Sequence, residues 1–488
     1  MVKDLTTGSP ARRIVLFTIP MMLGNLFQQL YNMADTLIVG RTIGVQALAA
    51  VGCTGSIIWL IIGLAQTITY GFSLVTAQHF GAHDAARVRR SFATSLVISM
   101  TLAILLTLVS VPMTTTILKW MHVPPEILQQ AHHYLIVIFS GIAASVLFNL
   151  FFNMIRALGD GKTPLLFLGI TCLLNIALDF LFILRFNMGV VGAGLATVVS
   201  QAISGILCIF YIRKKLPGLQ LQKEDWRITP QDVKVHLKVG LPVGFQNSII
   251  AIGALALQIA FNQLGAGAVT AYTVQAKIGS FATLPLNAFG TSMATYAAQN
   301  YGACNLERIR RGVRQCMAMT IPMAVLLSIT IILAGRPLAW IFLGSGEEAV
   351  FALVQKYLRM VCPFYLGLQA LLVYRGVLQG LGKGLVPTIA GVMELVGRFV
   401  GALVLVRIYG FAGACIAEPA AWLGAAVPVV ISYYYTMREL RWRMQVGKNA
   451  VLLLPGNIAE CAEGTVAAGG QNSGEKAMDN EVIEDNGI

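Results

Sequence analysis

Residues 14–40 read IVLFTIPMMLGNLFQQLYNMADTLIVG, and Asp35 is the one charge in the run. As a helix rising 1.5 Å per residue the stretch reaches roughly 40 Å, enough to cross a hydrocarbon layer of roughly 30 Å. A carboxylate at that depth costs about 3 kcal/mol or more unless it faces water, a partner or a proton. The stretch therefore predicts a spanning helix with an ion or substrate pathway beside it.

The rest of the chain agrees. Of its 488 residues 56% are hydrophobic and 12% charged, about half the charged fraction of a soluble protein. Its 48 glycines suit close packing of helices in lipid. The apolar runs are long and continuous, which excludes a membrane β-barrel built from short alternating segments. The predicted class is an all-α membrane protein with twelve transmembrane helices: 14–39, 46–71, 92–117, 133–156, 164–184, 190–211, 239–261, 268–296, 314–342, 352–374, 385–406 and 411–436. The first run is too long for a cleavable signal peptide.

The net charge of +13 follows the loops, so it is no sign of nucleic acid. With the N-terminus in the cytoplasm, 26 of the 35 basic residues fall in cytoplasmic segments or span ends, Arg156 and Arg375 among them. The loop Gly344–Glu348 then lies outside. By the positive-inside rule both termini are cytoplasmic and the protein sits in the cell membrane. The eight cysteines form no CxxC pair, so neither a zinc site nor a disulfide framework is expected. From Pro455 the chain turns polar and acidic, the composition of a disordered tail.

The chain also repeats itself. Gly81-Ala82-His83-Asp84 and Arg87-Val88-Arg89-Arg90 return 221 residues later as Gly302-Ala303-Cys304-Asn305 and Arg308-Ile309-Arg310-Arg311. Leu158-Gly159 and Pro164 return as Leu381-Gly382 and Pro387. Each half holds six spans, an even number, so the halves form two pseudo-symmetric six-helix lobes related by an axis along the membrane normal. Some secondary transporters are built this way, with the substrate site between the halves. The expected division is an N-lobe at 1–213, a cytoplasmic linker at 214–238, a C-lobe at 239–437 and a cytoplasmic, disordered tail at 438–488.

The ionisable groups break the symmetry. Asp35 falls opposite Ala256 or Leu257, Asp179 opposite Ala402, Asn175 opposite Arg398 and Thr197 opposite Glu418. Asn175 precedes Asp179 by four residues, on the same helical face. Thr197, Asn153 and Tyr31 complete a candidate hydrogen-bonded cluster for taking up and releasing an ion. The structural alternative is that Asn175 and Asp179 pin a bend. In the C-lobe, Glu394 and Arg398 are spaced for an internal salt bridge, and Glu418 can pair with Arg398 or with backbone freed by Pro419. Lys277 can pair with an acid or repel cationic substrates. Met21, Met22, Met33, Phe281, Phe289 and Met293 offer either an adaptable wall for varied ligands or plain core packing. Pro20 and Pro242 are repeat-related and predict paired bending.

Ile19-Pro20, Asn25, Asn32-Met33-Ala34-Asp35-Thr36-Leu37-Ile38-Val39-Gly40 and Ala47-Leu48-Ala49-Ala50-Val51-Gly52 together resemble the first hairpin of the multidrug and toxic compound extrusion (MATE) transporters. Arg156-Ala157-Leu158-Gly159-Asp160, Asn175-Ile176-Ala177-Leu178-Asp179 and Gly192-Ala193-Gly194-Leu195-Ala196-Thr197 are similar to that family's later motifs. The resemblance covers roughly residues 12–437 and implies efflux of organic cations or drugs driven by H⁺ or Na⁺. In the branch resembling the DNA-damage-inducible proteins it implies proton coupling at Tyr31, Asp35, Asn175, Asp179 and Thr197. The sodium-coupled branch also uses an acid in the first C-lobe helix. Here that helix has Gln246, Asn247 and Gln258 but no acid, which favours N-lobe coupling.

The expected function is therefore secondary active antiport, with alternating access between two lobes. The alternative is a flippase for lipid-linked saccharides of the same superfamily, which wants a strongly basic cavity where this N-lobe is acidic. No GxxxxGK[ST] phosphate loop appears, so an ATP-driven pump is not expected. Nor is an enzyme, a metal site or a cofactor other than the coupling ion. The expected partners are small organic molecules and the lipid bilayer, with the protein a monomer.

Overall fold

The computed structural model describes residues 4–344 and 348–449, and among these every regular element is helical. The first half runs α1 (Pro10–Thr42), α2 (Val45–Gly81), α3 (Ala85–Trp120), α4 (Pro125–Ser140), α5 (Ile142–Ala157), α6 (Lys162–Asp179, extended by a π turn at Phe180–Arg185) and α7 (Gly189–Lys215). The second runs α8 (Pro230–Asn262), α9 (Ala266–Ala282), α10 (Leu284–Gly302), α11 (Leu306–Leu333), α12 (Gly335–Leu343), α13 (Glu348–Val361), α14 (Tyr365–Gly380), α15 (Leu385–Val400, followed by a π turn at Gly401–Leu405), α16 (Val406–Tyr409) and α17 (Phe411–Asn449).

The repeat is visible in these bounds. Helices α1 and α8 are each 33 residues long. Helix α2 corresponds to α9 and α10 taken together at an offset of 221, and α5 to α14 at 223. Even the caps recur: Asp84 accepts from Arg87 N–H at 2.9 Å, and its counterpart Asn305 accepts from Arg308 N–H at 3.0 Å. Short polar side chains at these positions satisfy donors that the first turn leaves free.

Among the described residues ten helical segments are long and apolar enough to cross a bilayer, and the pair α4–α5, bent by 49°, makes an eleventh. The bend sits at Gly141, where a Cβ would fall 2.2 Å from Val198 Cγ2, so α7 can approach only a glycine. The twelfth span is α9–α10, broken at Thr283 and carrying Gln275, Lys277 and Asn287. Part of its polarity has a cause, since Lys277 and Ser280 line the cleft between the lobes. Most helices outrun their predicted spans because the amphipathic ends continue past the hydrocarbon. Pro20 and Pro242 lie inside the single helices α1 and α8.

The lobes meet tightly at the face that carries the basic α2–α3 and α10–α11 turns. There Gln78 Nε2 donates to the Gly380 carbonyl at 2.8 Å, and Gln299 Nε2 donates to the Ala157 carbonyl at 2.7 Å. A Cβ on Gly81 would stand 1.8 Å from the Gln299 carbonyl oxygen, and one on Gly302 1.8 Å from that of Gln78. The N-terminal segment straps this closure. Leu5 is buried, its N–H donates to Gln299 Oε1 at 3.0 Å, and Arg308 donates to the carbonyls of Leu5, Thr7 and Gly8. Towards the other face the lobes part, leaving a cleft of about 800 Å³ between α1 and α9.

The segment 214–238, the expected linker, is packed on the N-lobe. Leu216 and Leu219 are buried, Asp225 takes a hydrogen bond from Arg89 Nε at 3.1 Å, and Arg90 pairs with Asp232 at 2.8 Å, so it is held on α3. Residues 438–449, expected in a disordered tail, continue α17 as helix, while 450–488 lie outside the described residues.

Candidate functional site

Helix α1 is the wall between two cavities. Its N-lobe face, with Gln28, Tyr31, Asn32 and Asp35, lines a cavity of about 450 Å³ completed by Trp59 and Gln66 of α2, Tyr134 of α4, and Thr197 and Gln201 of α7. These α1 positions recur at three or four residues, so one helical stripe supplies them. Asp35 is half-buried there, and its Oδ1 finds no protein partner.

A hydrogen-bond chain leads from this wall into the lobe. Tyr31 OH donates to Thr197 Oγ1 at 3.3 Å. With the Asn175 amide oriented to satisfy both its ends, Asn175 Oδ1 accepts from Thr197 N–H at 3.3 Å and its Nδ2 donates to Asp179 Oδ2 at 3.1 Å. Asn175 and Asp179 are fully buried, and Asp179 Oδ1 has no protein partner. Asp179 ends α6 where the π turn begins, so it caps no helix start. Five of the six N-lobe residues singled out from sequence thus gather around one wall.

Asn153 lines a pocket together with Tyr31 but, among the described residues, makes no hydrogen bond to these five. It donates to Thr69 Oγ1 at 3.4 Å and lines a neighbouring pocket of about 130 Å³ with Asn25, Gln28, Gln66, Asn149, Arg156 and Gln201. Arg156 lies in the last turn of α5, at the span end expected for it, and its guanidinium turns inward, 4.0 Å over the Phe152 ring.

The C-lobe residues form a separate chain of ions. Arg375 hydrogen-bonds Glu394 directly. Arg398 Nη2 stands 3.8 Å from both Glu394 Oε2 and Glu418 Oε1, and Tyr357 OH donates to Glu418 Oε2 at 2.8 Å. Both readings of Arg398, a partner within its own helix and one on α17, hold at once. Gln246 accepts from Gln379 Nε2 at 2.9 Å beside this chain. Arg375 was also assigned to a span end, but it is buried one turn deeper in α14 than a loop charge would be. Two cations and two anions compensate one another, so the chain is electrically closed.

The cleft on the other side of α1 is different again. Asn32, Met33, Leu37 and Arg41 face Lys277 and Phe281 across it. No carboxylate pairs with Lys277 or Arg41 among the described residues. Met33 and Phe281 belong to this wall, whereas Met21 and Met293 are core residues. Among the described residues no cluster of three or more His, Cys, Asp or Glu side chains is spaced to hold a metal ion.

Comparison with known proteins agrees with this architecture. The chain is 28% identical over 382 residues to the probable multidrug resistance protein YpnP of Bacillus subtilis, covering 78% of this chain and 84% of that one. It is 27% identical over 430 residues to the probable multidrug resistance protein NorM of Thermotoga maritima, covering 86% and 89%. Its fold superposes with a TM-score of 0.84, at 25% identity and covering 90% and 98%, on an outward-facing structure of a multidrug resistance MATE transporter of the MOP superfamily. The MatE family profile matches twice, at residues 20–181 and 242–404. Those two matches fall one in each six-helix half, and the chain belongs to the MatE family of membrane transporters.

Proposed function

We propose that this protein is an exporter of amphipathic organic molecules that works by antiport, with Asp35 as the group that alternates between ion and substrate. The observation that carries this reading is the Asp35 carboxylate. It lies on a cavity wall with an oxygen free of protein partners, beside a hydrogen-bond chain that ends at a second buried carboxylate. Two carboxyl oxygens without protein partners, one at the cavity wall and one buried behind it, suit a proton as coupling ion better than a cation that needs several oxygen ligands. The names of the relatives support drug-like substrates. Substrate and proton would occupy the N-lobe by turns, giving exchange without a direct meeting.

The sealed basic face would be cytoplasmic by the positive-inside rule, and the cleft beside Lys277 would open outward. Residues 1–213 and 239–437 would rock as two bodies about the α2–α10 crossing, with 214–238 carried on the N-lobe. In this arrangement the ion-paired C-lobe chain stiffens its lobe and plays no part in coupling. The test is substrate flux into proteoliposomes under imposed H⁺ and Na⁺ gradients separately. Stimulation by a proton gradient, lost in Asp35→Asn, is the expected result. Flux that ignores both gradients would defeat the antiport reading.

A further inference from the structure

The N-lobe cavity holds a cation that the coupling scheme does not use. Arg156 reaches the 130 Å³ pocket from the end of α5, and no carboxylate pairs with it among the described residues. Its Nε is buried without a protein partner. Beside it Asn25, Gln28 and Gln201 carry carboxamides that make no side-chain hydrogen bond among the described residues. An unpaired buried cation is costly, and an anion arriving in such a site is held strongly.

The other lobe offers a contrast, although its arginine sits at a different repeat position: at the offset of 223 Arg375 corresponds to Phe152 and Arg156 to Gln379. There the inward-turned arginine of the corresponding helix, Arg375, is neutralised by Glu394. At the repeat offset of 223, Glu394 corresponds to Thr171, and Thr171 lines the Arg156 pocket. Where the C-lobe supplies its own carboxylate, the N-lobe has a neutral hydroxyl and open space. The pocket also shares Gln28, Tyr31, Gln66 and Gln201 with the cavity of Asp35. A Cβ on Gly24 would lie 3.6 Å from Arg156 Nη2. Gly24 and Asp35 are eleven residues apart on α1, about 16 Å along the axis. The joined cavities are thus bipolar, with a free guanidinium at one end and a free carboxylate oxygen at the other.

We infer that Arg156 is a substrate-binding residue that takes the carboxylate of an amphoteric organic molecule while Asp35 takes its amine. The planar guanidinium matches a carboxylate in a bidentate fork, and one cation in so small a pocket suits a single negative charge. This rests on the exporter reading for its physiological meaning, but binding tests it separately from transport.

The probes are 4′-(aminomethyl)biphenyl-4-carboxylate and its methyl ester, which keeps the amine and loses the negative charge. Binding to full-length protein in nanodiscs is measured by calorimetry without any ion gradient. In Arg156→Gln the zwitterion should weaken by about tenfold or more, the loss typical of a charge-assisted pair. The ester should change little, and Arg156→Lys should recover part of the zwitterion's affinity. Equal losses for both probes, no loss for either, or no binding of the zwitterion to the unaltered protein would each overturn the site. Ester transport with Arg156-independent zwitterion binding would remove the site and leave the exporter standing. Arg156-dependent binding with no transport of either probe would do the reverse.

Discussion

Gln78 and Gln299 occupy equivalent positions in the two halves, and each gives its carboxamide to a backbone carbonyl at the end of a helix in the opposite half. The receiving carbonyls, Gly380 and Ala157, are themselves repeat-related. The pseudo-two-fold axis therefore passes through a pair of reciprocal latches that shut one end of the cleft. Because α2 and α10 cross on Gly81 and Gly302 with no room for a Cβ, the latches require the two backbones in direct contact. On the alternating-access reading, a contact this specific would be made or broken as a unit.

Loss of either latch should bias the protein towards opening at the basic face. A hydrogen bond of this kind contributes about 1 kcal/mol, so Gln78→Ala should shift the closed-to-open ratio roughly fivefold. Gln299→Ala should shift it further, because Gln299 also holds Leu5. Gly81→Val should prevent closure outright. Spin labels at positions 87 and 310 report the separation of the lobes at that face. Unchanged distance distributions in all three variants would show that the latches do not govern the equilibrium.

The C-lobe chain makes a stability prediction. Glu394→Gln leaves Arg375 buried without its counter-charge, a change that costs about 3–5 kcal/mol. Replacing both partners, as in Arg375→Met with Glu394→Gln, should recover much of the loss, because no uncompensated ion remains. Thermal unfolding in detergent measures both. Equal instability of the single and double variants would mean that packing, and not charge compensation, sets the cost.

Much of this architecture could be read from the residues. Asp35 declared itself by being the only charge in a long apolar run, and Asn175 and Asp179 by their four-residue spacing. The repeat at 221 to 223 residues fixed the helix pairing. What stayed hidden depended on partners distant in sequence. Gln78 and Gln299 look like ordinary polar residues at span ends, and only the lobe interface shows that each reaches a carbonyl in the other half. Arg156 and Arg375 count among the cytoplasmic and span-end charges of the positive-inside pattern, which does not see which way they turn. A signal was available for Arg375: it lies more than a turn before Gly380, inside the helix. Asn153 does share a pocket with Tyr31, but its hydrogen bond goes to Thr69, a partner that its sequence neighbours do not reveal.

Orientation has a direct test. A single cysteine at position 345, in a background with the native cysteines replaced, should react with an impermeant maleimide from outside intact cells. A cysteine at position 224 should react only after the membrane is breached. Labelling with the opposite sidedness would invert the topology and with it the outward-open assignment of the cleft.

Asp35 and Asp179 should behave as one unit. Asp35 meets the cavity, while Asp179 is buried behind it, and the path from the cavity wall runs through Tyr31, Thr197 and Asn175. Neighbouring carboxylates resist simultaneous ionisation, so a proton bound by one changes the charge seen by the other. If Asp35 exchanges proton for substrate and Asp179 holds or returns that proton, removing either breaks the same cycle. Asp35→Asn and Asp179→Asn should each lower gradient-driven export by about a hundredfold or more, and the double variant should be little worse than either, since members of one functional unit are non-additive. Tyr31→Phe should act in the same direction but more weakly, because it interrupts the chain and leaves both acids. Asp179→Asn, which leaves the Asp35 carboxylate in the cavity, should keep downhill, gradient-independent substrate exchange, a readout that separates lost coupling from lost folding. Multiplying losses in the double variant would show two independent roles and sink the shared-site mechanism.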